Sequence, residues 1–229
     1  IMQTALTGER SLMAGRETID EYGWRNFGEI WADHEGHPDY YHGPRPIISH
    51  YNNQFDVVLG ALLAELRTGD GSWREIYDPL ARHVIDIDIY HTQRDRAAYN
   101  GGLFWFTDHY LTAHTCTHRT YSRHNRPDDG SPYGGGPNAQ HNFTTGLRFY
   151  YYRTGDREAR DAVLSLADWV IAMDDGANTL LGLVDDGPTG LASATADMDY
   201  HGPGRGAGNS ISALLDAWRL TDKPHYLAK

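Results

Sequence analysis

Apolar residues recur along this chain in short runs with helical spacing, each run set between a Gly/Pro-rich loop and a Thr-Asp or Thr-Gly-Asp turn. From Phe55 they fall at Val58, Leu59, Leu62, Leu63 and Leu66, the spacing that puts one stripe on a helix face. The pattern returns at Ile211, Leu214, Leu215 and Trp218, and more loosely at Phe143, Leu147, Tyr150 and Tyr151. Each stripe then meets a break. Gly69 and Gly155 suit the left-handed position that closes a helix, Ser72 with Glu75 has the pattern of a capping box, and Asp156 is placed to cap the next start. Second helices are predicted from Ile76, Leu80, Val84 and Ile87 in one copy and from Ala159, Val163, Leu166 and Val170 in the next. In a third copy Pro224 stands near the first turn of the partner helix, where a missing N–H matters least.

These stretches form an internal repeat. Tyr41-His42-Gly43-Pro44, Tyr133-Gly134-Gly135-Gly136-Pro137 and Tyr200-His201-Gly202-Pro203 open the copies, and Thr68-Gly69-Asp70, Thr154-Gly155-Asp156 and Thr221-Asp222 mark their turns. A unit of loop, helix, turn and helix cannot bury its apolar face alone and must stack on its neighbours. The expected fold is therefore mainly α: antiparallel helix pairs forming either an open superhelix or part of an (α/α) toroid. Leu103 to Tyr121 is expected to add a helix, Arg126 to Pro137 to be an irregular loop, and residues 1–40, without clear periodicity, to be an irregular lead-in. The repeat favours one domain across the 229 residues. Ile1 at the start and an unfinished helix after Lys223 lead us to expect a fragment of a longer multidomain protein.

The formal net charge of -11 argues against a nucleic-acid partner, which would need surplus Lys and Arg. No apolar run approaches the about 20 residues that span a bilayer, so no membrane partner is expected. Cys116 is the sole cysteine, which excludes an internal disulfide and a thiolate cage. The 15 tyrosines and 6 tryptophans suit helical cores and sugar stacking alike. Oligomeric state leaves no trace in this pattern.

Three clusters carry candidate chemistry. His50-Tyr51-Asn52-Asn53, His141-Asn142 and Asn209 would stand on one rim, at the amino ends of the first helices. There free N–H groups and the helix dipole favour negative charge by a few tenths to ~1 kcal/mol each, as a carboxylate-bearing ligand requires. Plain N-capping explains Asn142 and Asn209 equally well, and the four-residue run His50–Asn53 less well, since one cap needs one polar residue. Second, His114 and His118 share a helical spacing suited to a metal, near Asp108, His109, Cys116 and Tyr121, or are hydrogen-bonded histidines lining an aromatic cleft. Third, Asp33, His34, Glu35, His37 and Asp39 form either a solvated acidic loop or a calcium site. Beyond them Arg45 has the planar fork that grips a carboxylate. The run Gly134-Gly135-Gly136-Pro137 lacks the Lys-Ser/Thr tail of a phosphate loop. Asn142-Phe143-Thr144 matches a glycosylation acceptor but falls on the ligand rim.

The run from Gly23-Trp24-Arg25-Asn26-Phe27-Gly28 to Asp33-His34-Glu35, the stretch Ser49-His50-Tyr51-Asn52-Asn53-Gln54-Phe55-Asp56, and Thr107-Asp108-His109-Tyr110 to Thr115-Cys116-Thr117-His118-Arg119 resemble the helical catalytic domain of exo-acting rhamnogalacturonan lyase-like proteins. The resemblance covers roughly residues 20 to 225 and is similar more broadly to the incomplete helical toroids of polysaccharide lyases. It implies a carbon–oxygen lyase that cleaves next to a uronic acid by β-elimination, with an acidic polysaccharide or oligosaccharide as partner. It also implies a secreted or periplasmic setting.

Such a reaction needs the uronate carboxylate neutralised before the C5 proton can leave. By residue type, His50, Asn53, Asn142 and Arg45 are candidate clamps, Tyr51 or His141 the base, and His109 or Tyr41 the acid, with Asn52, Asn209 and Trp105 as further substrate contacts. No cofactor is required, although a divalent cation such as calcium would serve the clamp. A glycoside hydrolase would instead use paired carboxylates, Asp108 with Asp56 or Glu35 with Asp33. A non-catalytic helical repeat would bind a partner on its concave face.

Overall fold

The computed structural model describes residues 2–9, 11–19, 30–31, 47–51, 53–94, 100–103, 106–110, 139–174 and 205–228. These form α1 (Met2–Thr7), α2 (Leu12–Ile19), β1 (Ile30–Trp31), β2 (Ile47–Tyr51), α3 (Val57–Thr68), α4 (Arg74–His83), β3 (Phe106–Tyr110), α5 (Thr145–Thr154), α6 (Arg157–Asp174) and α7 (Arg205–Thr221). The chain is mainly helical and its helices pack in pairs. Helix α3 lies against α4 and α5, while α6 lies against α5 and α7.

The long helix α6 joins two buried clusters. Its Ala159, Val163 and Leu166 enter a core with Val58, Leu62, Ile76, Tyr77, Leu80, Leu147 and Tyr150. One turn on, Ala167, Trp169, Val170 and Met173 enter a second core with Ala213, Leu214, Ala217 and Tyr226. Each fully buried Leu, Val or Met contributes about 1.5–3 kcal/mol, so α6 is the helix on which the pairs depend most.

All three turns close by the same local bonds. Thr68, Thr154 and Thr221 each donate Oγ1 to the carbonyl four residues back, at 2.7, 2.7 and 2.8 Å. Each hydroxyl in turn accepts the N–H two residues on, from Asp70, Asp156 and Lys223. The residue between adopts a left-handed conformation, with φ of 70° at Gly69, 76° at Gly155 and 55° at Asp222. In the third copy, then, an aspartate occupies the glycine position, and Pro224 starts a short 3-10 turn, Pro224–Tyr226.

Several expectations change. Phe55, Leu66 and Ile211 are exposed, while small residues of the same helices, Ala61, Ala64, Ala213 and Ala217, are buried. Neighbouring helices approach closest over short side chains, and a stripe traced through large residues alone misses that face. Asp70 accepts from Ser72 N at 3.0 Å and caps a short 3-10 turn, Gly71–Trp73, that leads into α4; α4 itself starts after Trp73 without a side-chain cap, so the Ser72–Glu75 pair does not cap it. Residues expected to form an irregular lead-in carry α1, α2 and β1; Ser11 Oγ accepts from Ala14 N at the start of α2, and Leu6 joins the first core. Phe106–Tyr110 is a strand and not a helix, consistent with Phe, Thr and Tyr in that stretch favouring a pleated conformation. Its partner is β2, so the described strands form an antiparallel sheet in the order β1-β2-β3.

Candidate functional site

Away from the turns of α3 and α5, residues far apart in sequence meet around the amino ends of those two helices and along α7, from Asn209 in its second turn to Asp216 five residues before Thr221. Asn53 Nδ2 donates to the Phe143 carbonyl at 3.3 Å, and Gly146 N donates to Asp56 Oδ2 at 2.8 Å. Asn209 Nδ2 donates to the Gln140 carbonyl at 2.7 Å, and Arg205 also reaches the Gln140 side chain. Thr144 and Thr145 hydroxyls both donate to Asp216 Oδ2, at 3.0 and 2.7 Å, while Arg148 Nε stands 2.9 Å from Asp216 Oδ1. Asn53, His141, Asn142 and Asn209 thus belong to one end of the fold.

They are not open to a ligand. Asn53 and His141 are 0 % exposed and Asn142 is 1 % exposed. The Asn142 amide donates to the Leu166 carbonyl at 3.4 Å, and the His141 ring stands edge-on to Phe143 at 5.9 Å between centroids. Buried amides bonded to backbone hold segments together, so Asn53 and Asn142 tie the helices, while His141 packs against Phe143. The Asn142-Phe143-Thr144 acceptor pattern is enclosed with them. Asn209 is partly buried in the second turn of α7, because that helix starts at Arg205.

Between β2 and α3 the backbone is strained. Asn53, Phe55 and Asp56 have φ of 46°, 55° and 54°, and a non-glycine residue in such a conformation costs about 1–3 kcal/mol. The segment is held from both sides. Asp56 N donates to the Asn53 carbonyl, and Asp56 Oδ1 accepts from Leu59 N at 3.2 Å, capping α3. With its other oxygen on Gly146 N, one carboxyl group caps two helices. Burial pushes the Asp56 carboxyl up to about 6, against hydrogen bonds from Gly146, Leu59 and Asn53 that favour its charge. A Cβ built at Gly146 would overlap Asp56 Oδ1 and come within 2.7 Å of Leu59 N, so only glycine admits this contact. Asp56, weighed as half of a hydrolase pair with Asp108, has both oxygens engaged by backbone N–H.

The other candidates lie on the sheet. In the ladder His50 stands opposite Trp31 on one side and Thr107 on the other; Ile48 stands opposite His109, Ser49 opposite Asp108 and Tyr51 opposite Phe106. His50 and His109 are therefore diagonal neighbours, positions that stand about 7–8 Å apart in such a ladder. Tyr51 ends β2 two residues before Asn53, which sets the sheet beside the amino end of α3.

Tyr41, Arg45, Asn52 and Trp105 lie outside the described residues, as do His114, Cys116, His118 and Tyr121, the acidic cluster from Asp33 to Asp39, the Arg126–Pro137 loop and the loops that open the repeats. Among the described residues no group of three or more His, Cys, Asp or Glu is arranged to hold a metal ion. No described helix is long and apolar enough to cross a membrane. A pocket of about 480 Å³ between the loop at His91–Gln93 and α6 contains none of the sequence candidates; Asp168 at its wall accepts from Tyr226 Oη at 2.9 Å. No family model, curated protein or solved structure matches the chain.

Sequence reasoning missed Gly146, Arg148 and Asp216, and treated Phe55 as the head of a buried stripe. The only local signal was the Thr144-Thr145-Gly146 run, which reads as an ordinary helix start.

Proposed function

We propose that the chain is the helical catalytic part of a polysaccharide lyase that cleaves a uronate-containing, rhamnogalacturonan-like polymer by β-elimination, its helix pairs forming part of an (α/α) toroid. The observation that carries this reading is the ladder register that makes His50 and His109 diagonal neighbours beside the amino end of α3. Two histidines at diagonal ladder positions are the residue types that an elimination needs, one to remove a proton and one to return it.

In this reading His50 or Tyr51 takes the C5 proton of the uronate. The electron pair left on C5 forms the C4–C5 double bond, the bond from C4 to the glycosidic oxygen breaks, and His109 protonates the departing oxygen. Arg45 and Asn52, with Tyr41 and Trp105 as further contacts, hold and neutralise the carboxylate. The dipole of α3 adds to that neutralisation. Asn53, His141 and Asn142 act one layer away as positioning residues, because all three are buried, the two amides are bonded to backbone and the His141 ring packs on Phe143. No cofactor enters these steps, and a divalent cation such as calcium would serve only the clamp. A secreted or periplasmic setting is part of the same reading, since the polymer is extracellular.

The test incubates the full chain with a panel of uronate polysaccharides that includes rhamnogalacturonan, with and without chelator. Elimination produces an unsaturated sugar that absorbs in the near ultraviolet. New reducing ends without that absorbance would indicate a hydrolase, and binding without cleavage a scaffold.

A further inference from the structure

Phe55 is a large aromatic that the fold leaves 70 % exposed, although it sits at φ 55°, ψ 22°, a conformation that aromatic side chains avoid. Both features work against folding. Glycine or asparagine would adopt this backbone more readily, and neither would leave an apolar ring in water. The residues on either side explain how the conformation is enforced. Asn53 and Asp56 are themselves left-handed and buried, and their side chains are tied across to Phe143 and Gly146 of the neighbouring helix pair. The lock turns two polar side chains inward and leaves the ring between them outside. It does so four residues after Tyr51, where β2 leads into α3. Strain that the surroundings over-determine, at a residue without a packing role, is the pattern of a binding position.

We infer that Phe55 is a stacking platform for a sugar ring of the substrate, an inference that rests on the lyase reading above. The apolar face of a pyranose, lined by its axial C–H groups, lies against the flat face of the ring. Its hydroxyls stay in water. A ring fixed on a locked backbone loses little freedom when a sugar covers it, so most of the contact is retained as affinity. Phe55 sets where a sugar unit sits relative to the sheet and takes no part in proton transfer.

The experiment compares the full chain with Phe55→Ala, Phe55→Gly and Phe55→Trp, using rhamnogalacturonan oligosaccharides as the probe. It reads calorimetric binding, KM and kcat from near-ultraviolet product release, and the thermal midpoint. Phe55→Ala and Phe55→Gly should weaken binding and raise KM by about tenfold, a loss of about 1.4 kcal/mol, with a smaller effect on kcat. Phe55→Trp should keep near wild-type affinity. Phe55→Gly should keep its midpoint or raise it by about 2–4 °C, because glycine relieves the left-handed strain. Wild-type cleavage with unchanged binding and KM in Phe55→Ala and Phe55→Gly would overturn the platform and leave the lyase standing. A large fall in the midpoint of Phe55→Gly would overturn it too, by making the ring structural. A wild-type chain that neither binds nor cleaves any of the oligosaccharides would overturn the lyase reading and the platform together.

Discussion

At the turn end, each helix pair closes with bonds between residues two to four positions apart: a threonine hydroxyl donating back to a carbonyl and accepting the N–H of the residue after next. In the interior, around the amino ends of α3 and α5 and along α7, the helices are tied by bonds between residues 69 to 90 positions apart. The turn-end residues are largely exposed, whereas Asn53, Asp56, Thr144 and Asp216 are buried. A local turn satisfies its own backbone, so it can be copied unchanged and tolerates loss. A long-range polar tie in the interior leaves an unsatisfied partner behind when one side is removed, and that penalty is larger than the net worth of the bond. Disturbance should therefore cost much more at the buried end than at the turns.

Asp216→Ala should have the largest effect. It strips the charge partner from Arg148, whose side chain is 11 % exposed, and two threonine hydroxyls lose their acceptor, a loss of about 3–5 kcal/mol. Urea unfolding would measure it, and a loss below about 1 kcal/mol would erase the contrast between the two ends. Gly146→Ala comes next at about 3 kcal/mol, because the added Cβ meets Asp56 Oδ1 and the backbone of α3. Its counterpart Gly155→Ala has open space around it and carries only the strain of φ 76°, about 1 kcal/mol. Equal midpoints for the two variants would contradict the close crossing of α3 and α5.

Asp56 sharpens the comparison through pH. Its carboxyl rises from 3.8 to about 6 in the fold, so the folded chain holds the proton more tightly than the unfolded chain. The resulting stability is fully present below about pH 4 and is lost as pH rises through about 6, by up to about 3 kcal/mol. Stability of the wild type minus that of Asp56→Asn should fall from pH 4 to pH 7, and a rise over that window would show that the helix ends hold the carboxylate charged. The smallest effect belongs to Asp222→Gly. Placing glycine at φ 55°, as the other two turns do at φ 70° and 76°, should stabilise the fold by about 0.5–1 kcal/mol in the same titration.

This division also governs what the sequence reveals. Helix pairs, their turns and the buried positions Ala159, Val163, Leu166 and Val170 are legible, because caps and periodicity act over a few residues. The buried face of α3 is legible only in part: Val58 and Leu62 of the apolar stripe are buried, but Ala61 and Ala64 carry no amphipathic signal until α4 and α5 are known to pack there. The gathering of Asn53, His141, Asn142 and Asn209 at one end follows from the repeat. Their burial does not, since it depends on bonds from Asn53 to Phe143 and from Asn142 to Leu166 that local spacing cannot encode. The strand at Phe106–Tyr110 was hidden by its Trp-, His- and Tyr-rich surroundings, and its register with β2 is what sets His109 near His50.

In the proposed function the buried carboxamides hold the site together and the sheet histidines carry its chemistry. Measuring thermal midpoint and near-ultraviolet product release on the same preparations of His50→Ala and Asn53→Ala, with rhamnogalacturonan as substrate, tests it directly. His50→Ala should keep its midpoint and lose product formation, while Asn53→Ala should lose several degrees and keep turnover in the fraction that stays folded. An active His50→Ala, or a fully stable but inactive Asn53→Ala, would contradict it.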